Sequence, residues 1–142
     1  NLDLAPSFLD YAGIKVPEDI QGLSFRAILS QNTNSWRDAI FYSYYEHPSE
    51  HHVNRHYGIR TNRYKLIHFY YDQNYWELYD LKRDPNELEN LYNQKRYKKI
   101  QTNLHKQLTE LRRKYKDSDA LNKTMIENFN SYKANKKKNK KA

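Results

Sequence analysis

Hydrophobic and polar positions follow two different periods along this chain, and the change between them marks its elements. From Tyr57 to Leu81 the sequence runs YGIRTNRYKLIHFYYDQNYWELYDL. Tyr64, Leu66, His68 and Tyr70 fall on one side of an extended chain, and Lys65, Ile67, Phe69 and Tyr71 on the other, which is the two-residue period of a strand. Ala39 to Tyr45 repeats the alternation, with Ile40, Tyr42 and Tyr44 set against Phe41 and Tyr45. Gly58 to Arg60 and Tyr64 to Tyr71 flank Thr61-Asn62-Arg63, where Asn62 suits the positive φ of a tight turn and predicts a hairpin. Asp72 to Asn74 then reads as a turn and Trp76 to Leu81 as a further strand. Residues 41 to 79 hold 12 of the 21 aromatic residues. Both faces of the expected sheet are therefore aromatic-rich, so a helix should cover one and a further element, in this chain or outside it, the other.

The period lengthens after the sheet. Tyr97, Ile100, Leu104, Leu108, Leu111 and Tyr115 recur at steps of three and four, which predicts an amphipathic helix over Arg96 to Lys116. Asp84-Pro85-Asn86-Glu87 has the form of a capping box with Pro at the first helical position, and predicts a short helix from Asp84 to Tyr92. Two further short helices are expected near the start. One spans Asn1 to Gly13, capped by Asp3 and closed by Gly13, and the other spans Gly22 to Leu29, capped by Ser24. Beyond Asp117 no apolar stripe is sustained, so residues 117–142 read as a loosely helical or disordered lysine-rich tail. The expected class is α+β: an antiparallel sheet of about four strands on a C-terminal amphipathic helix, preceded by short helices that belong to the end of a larger α/β domain. The expected divisions are 1–35, 36–116 and 117–142.

Composition alters this picture in two places. The formal charge of +8 suggests a nucleic-acid partner, but six lysines lie in the last ten residues, and without them 19 basic groups face 17 acidic ones. Basicity belongs to the tail and implies no basic face on the body. The chain has no cysteine, hence no disulfide framework, thiolate nucleophile or cysteine zinc site. No apolar run is long enough to cross a membrane. The opening residues, which do not include a starting Met, read like the interior of a longer protein, and a fragment is expected.

Candidate chemistry concentrates in the loop after the first strand. His51, His52, Arg55 and His56 fall within six residues, and their imidazole and guanidinium groups make a donor-rich tract suited to an anion. The same histidines in a polar loop are compatible with simple solvation, and without Asp or Cys ligands nearby no metal site is assigned to them. Arg60, Arg63 and Lys65, interleaved with Tyr57 and Tyr64, imitate a surface for single-stranded nucleic acid. They also fit a hairpin edge guarded by charge. Three glycines, at 13, 22 and 58, make no phosphate-binding loop.

A series of motifs in order carries more. Asp3-Leu4-Ala5-Pro6-Ser7-Phe8-Leu9-Asp10-Tyr11-Ala12-Gly13-Ile14 is followed by Gln21-Gly22-Leu23-Ser24-Phe25, Trp36-Arg37 and Gly58-Ile59-Arg60-Thr61. Then come Arg63-Tyr64-Lys65-Leu66-Ile67, Glu77-Leu78-Tyr79-Asp80-Leu81, Asp84-Pro85, Glu87 and Asn90-Leu91. Over roughly Asn1 to Tyr115 this succession resembles the C-terminal part of a type I sulfatase of the alkaline-phosphatase superfamily, nearest the bacterial branch that acts on sulfated glycans and includes N-acetylglucosamine-6-sulfatases. The resemblance implies a large α/β domain preceding a small subdomain of four antiparallel strands and a packed helix. It also implies a formylglycine nucleophile made from a Cys/Ser-x-Pro-Ser-Arg motif, calcium held by Asp and Asn side chains, and a periplasmic or secreted location. Here Pro6-Ser7 and Pro48-Ser49 have Leu4 and Glu46 at the nucleophile position and no following Arg. The chain is thus expected to hold no catalytic residue and no metal ligand, to be inactive alone, and to need the missing N-terminal sulfatase domain as partner. The resemblance assigns His51, His52, Arg55 and His56 to contacts with a sulfated glycan at the rim of the active site. The alternative is a non-catalytic α+β module that binds acidic glycans or nucleic acid.

Overall fold

A computed structural model describes residues 2–31, 36–47 and 52–139. They form two compact units, divided after Asp38.

The first unit carries helices α1, Leu4–Tyr11, and α2, Arg26–Leu29. Its interior is polar. The carboxylate of Asp3 makes no cap bond to α1, as the sequence predicts it should, but accepts the Leu23 N–H at 2.9 Å and pairs with the guanidinium of Arg37. The fully buried Ser7 hydroxyl donates to the Asp3 carbonyl at 2.6 Å and accepts from the Phe25 N–H at 3.0 Å. Ser24 does act near the start of α2, accepting from the Arg26 N–H while donating to Asp10. Arg37 and Ser24 hold the carboxyls of Asp3 and Asp10, respectively, below the usual aspartate range. Gly22 is required for space, since a Cβ there would lie 2.1 Å from the Leu2 carbonyl oxygen.

The second unit is the sheet and its helices. Strands β1, Ala39–Tyr44, β2, His56–Thr61, β3, Tyr64–Phe69, and β4, Tyr75–Asp80, form an antiparallel meander in chain order. Phe41, Ile59, Leu66 and Leu78 stand opposite one another across the four strands. Ile59, Leu66 and Leu78 pack with Leu104 and Leu108 of helix α3, Lys98–Lys114, which a 3-10 turn over Lys95–Tyr97 introduces. Tyr57, Leu91 and Tyr97 complete this core. Gly58 sits under the ring of Tyr42, where an added Cβ would come within 2.6 Å of the phenol oxygen and 2.5 Å of the Leu66 carbonyl.

Two expectations change. No helix forms between Asp84 and Tyr92, because Glu87 adopts a positive φ of 56° and spends its carboxylate on Lys65 of β3 at 2.5 Å rather than on the Asp84 N–H. Asp84 still accepts two backbone N–H groups, from Leu88 and Glu89, and closes a loop in place of a helix. That loop delivers Asn90 to the outer edge of β4, where its amide accepts from the Leu78 N–H and donates to the Trp76 carbonyl. The Leu91 N–H binds the Leu78 carbonyl beside it.

The segment read as a loosely helical or disordered tail forms a regular helix, α4, Asp119–Asn139. Ser118 accepts the Leu121 N–H as its cap. Arg112 fixes the turn between α3 and α4, bonding Asp117 at 2.5 Å and Asp119 at 2.7 Å while lying 4.0 Å over the ring of Tyr57. Ile126 is only 2% exposed. A stripe of one or two residues per turn is enough to seat a helix on existing apolar surface, and too thin to register as amphipathic.

Candidate functional site

The β1–β2 loop and the β3–β4 turn meet at one end of the sheet, and Arg55 joins them. Its Nε donates to the Tyr45 carbonyl at 2.9 Å, its Nη1 to both carboxylate oxygens of Asp72 at 2.9 Å, and its Nη2 to the His47 carbonyl. The Tyr70 N–H returns a bond to the Arg55 carbonyl, and the guanidinium lies 4.9 Å over the Tyr71 ring. Arg55 is 1% exposed. Every nitrogen of the guanidinium is committed to the protein, so Arg55 shapes this end of the sheet and presents nothing to a ligand.

The other residues singled out by the sequence are placed differently. His52 is exposed with a φ of 49°, on the loop that Arg55 pins. His56 opens β2, half-buried, and its Nδ1–H donates to the Asn54 carbonyl at 2.8 Å. That bond leaves Nε2 as the remaining ring nitrogen. The ring sits among aromatic groups, 5.8 Å from Tyr44 and 5.4 Å from Phe69, which in turn stacks on Tyr75 at 4.6 Å. His51 lies outside the described residues. The loop thus presents His52 to solvent and holds His56 in one orientation within an aromatic setting.

Two of the three hairpin cations are tied within the protein, and Arg60 is exposed. Arg63 clamps the buried carboxylate of Asp80 through two bonds at 2.9 and 2.8 Å, Lys65 is held by Glu87, and Tyr57 is buried. Arg63 keeps the Asp80 carboxyl well below its ordinary value. Arg63 and Lys65, which look free in the sequence, are therefore internal ties. Asp72 and Asp80, which orient Arg55 and Arg63, gave no individual signal; each lies 17 residues beyond its partner.

The chain matches the model of the family described as N-sulphoglucosamine sulphohydrolase, C-terminal, over residues 1–114. It belongs to that family. Among relatives of this sulfatase C-terminal chain, an N-acetylglucosamine-6-O-sulfatase of Bacteroides thetaiotaomicron is 50% identical over 122 residues, covering 84% of this chain and 22% of the relative. An arylsulfatase of Clostridium perfringens is 35% identical, covering 68% of this chain and 19% of the relative. A solved structure, 50% identical with a TM-score of 0.79, covers 82% of this chain and 24% of its own; it is described as being in complex with its substrate D-glucosamine-2-N,6-O-disulfate. The α+β class, the four-stranded antiparallel sheet and the packed helix read from the sequence are those of the family. The chain spans about a fifth to a quarter of the length of these relatives.

No helix among the described residues is long and apolar enough to cross a membrane. Among those residues no three His, Cys, Asp or Glu side chains converge to hold a metal ion. The residues present do not fit the calcium and formylglycine that the sulfatase family implies, since cysteine is absent and neither Pro-Ser pair is followed by Arg.

Proposed function

We propose that this chain is the C-terminal subdomain of a sulfatase that hydrolyses sulfate esters on sulfated glycans, and that it supplies structure and rim contacts without turnover of its own. The observation that carries this reading is the 50% identity, over most of the chain, to a structure holding a sulfated glucosamine. Calcium and formylglycine are assigned to an N-terminal sulfatase domain outside this chain, and the periplasm or cell exterior is the location consistent with glycan substrates. Within the tract His51, His52, Arg55 and His56, the histidines are the substrate contacts, and Arg55 holds the loop that carries them.

The test uses an intact enzyme containing this subdomain, with the residues matching His52 and His56 changed singly to Ala. On a sulfated glycan KM should rise about 10- to 100-fold with kcat nearly unchanged, the loss of one charge-assisted bond made in ground and transition states alike. A small aryl sulfate that does not reach the rim should be turned over as before. Equal losses on both substrates, or none on either, would remove the histidines from substrate binding. Changing the residue matching Arg55 should impair both substrates, because it unseats the loop.

A further inference from the structure

Helix α4 lies beyond the stretch, residues 1–114, that matches the family. Its two halves differ. The first is anchored: Ser118 caps it, Arg112 holds Asp119, and Asn122 and Ile126 are buried. From Glu127 to Lys136 no residue is buried. The part of α4 after Ile126 is about 20 Å long, so the helix presents its second half to the surroundings rather than to the core.

Two features occur together on this helix. One is charge. Lys133, Lys136, Lys137 and Lys138 fall within α4, Lys140 and Lys141 follow it in sequence, and no Asp or Glu occurs after Glu127. Lys133, Lys136 and Lys137 are three and four residues apart and share one face of the helix. Like charges at that spacing repel one another, and an approaching anionic surface turns the repulsion into attraction. The other feature is an apolar line. Leu121, Met125 and Tyr132 are four and seven residues apart, which sets them on one side of α4, and they are 38%, 38% and 60% exposed. The Lys136 ammonium stands 5.9 Å from the centre of the Tyr132 ring, and the Lys133 ammonium 5.0 Å from that of Phe129, so lysine and aromatic positions adjoin.

This combination selects among anionic partners. Nucleic acids are held largely by guanidinium groups, which fork onto phosphate and stack on bases, and Arg113 is the last arginine of the chain. A bilayer with anionic lipids offers phosphates for the lysines and an acyl boundary for Leu, Met and Tyr, with the lysine stems spanning the two. We propose that α4 docks this protein on the surface of a bilayer containing anionic lipids, with its lysines at the headgroups and Met125 and Tyr132 at the edge of the hydrocarbon. It lies on the membrane, since it is not apolar enough to cross one. The inference does not depend on the hydrolytic reading above.

The test is co-sedimentation of the 142-residue chain with vesicles of phosphatidylcholine, either pure or mixed three to one with phosphatidylglycerol. Saturable binding to the anionic vesicles is expected, about tenfold or more tighter than to the neutral ones. Raising NaCl from about 0.1 to about 1 M shortens the screening length from about 10 to about 3 Å and should release the protein. Changing Lys136→Gln, Lys137→Gln and Lys138→Gln together should weaken binding about a hundredfold, at about fivefold for each lysine near the surface. The Tm of that variant should match that of the unchanged chain, since these positions lie past the buried Ile126. Because the chain has no cysteine, Tyr132→Cys accepts a single environment-sensitive fluorophore, whose emission should shift to the blue on anionic vesicles. Equal binding to neutral and anionic vesicles, full binding by the triple variant, tighter binding to single-stranded RNA than to anionic vesicles, or a label on residue 132 that stays in water when the protein is vesicle-bound would each overturn the proposal.

Discussion

The two units of this chain bury opposite kinds of side chain. In the first, Pro6 and Ser7 are the buried residues of α1, while Phe8 is 66% exposed and Leu4, Tyr11, Ile14 and Leu29 also face outward. What orders it is a set of hydrogen bonds on Asp3, Ser7 and Asp10. The second encloses Ile59, Leu66, Leu78, Leu104 and Leu108 in one continuous apolar core. Hydrogen bonds fix geometry but contribute little net stability, whereas apolar burial is the main driving force for folding. The sheet unit thus has its own source of stability, and the N-terminal unit has the outward apolar residues of a segment built to be covered.

Truncating the core tests that contrast most strongly. Leu66→Ala should cost about 2–5 kcal/mol in denaturant unfolding, as deep cavities do, whereas Phe8→Ala should stay within about 0.5 kcal/mol. Similar losses for the two would mean that α1 belongs to a core as real as the sheet's. A smaller effect is expected at α4. Ending the chain after Lys116 removes Ile126 and the carboxylates of Asp117 and Asp119 that hold Arg112 over Tyr57. Loss of one buried aliphatic side chain and its accompanying ion pairs corresponds to about 2–3 kcal/mol, or a fall of several degrees in Tm. An unchanged Tm would return this segment to a tail. The smallest effect concerns His105, whose ring lies 4.4 Å from Trp76 with Nε2 bonded to the Tyr92 hydroxyl at 3.1 Å. Burial, aided by His68, holds its pKa below the ordinary 6.5. The unfolded chain therefore takes up the proton first, so this contribution is full above about pH 6.5 and declines as pH falls toward the folded value. His105→Gln should flatten the slope of unfolding free energy against pH between about 5 and 7, with the sheet unit as reporter; an unaltered slope would place the titration elsewhere.

How much could be read from the sequence differs with the range of the interaction. The strands were legible because period-two alternation and the Thr61-Asn62-Arg63 turn are local, and the bounds of β1, β3 and β4 fall within two residues of those expected. Helix α3 was legible for the same reason. The Asp84 loop was not, because Glu87 is claimed by Lys65, 22 residues earlier in the chain. Nor was α4, where Asn122 and Ile126 are buried only because aromatic residues of the sheet lie beside them. Of the tract read as substrate-binding, Arg55 is the residue the structure places differently. A side chain read as a ligand contact proves to be wholly enclosed once Asp72 folds back on it.

The capping of β4 has a bearing on how this chain behaves in concentrated solution. An outermost strand ordinarily offers a row of unused peptide groups on which another chain can polymerise. Here the Trp76 carbonyl, both polar groups of Leu78 and the Asp80 carbonyl are already taken, by Asn90, Leu91, Arg83 and Asp84. Sheet growth by edge-to-edge accretion is therefore closed along β4.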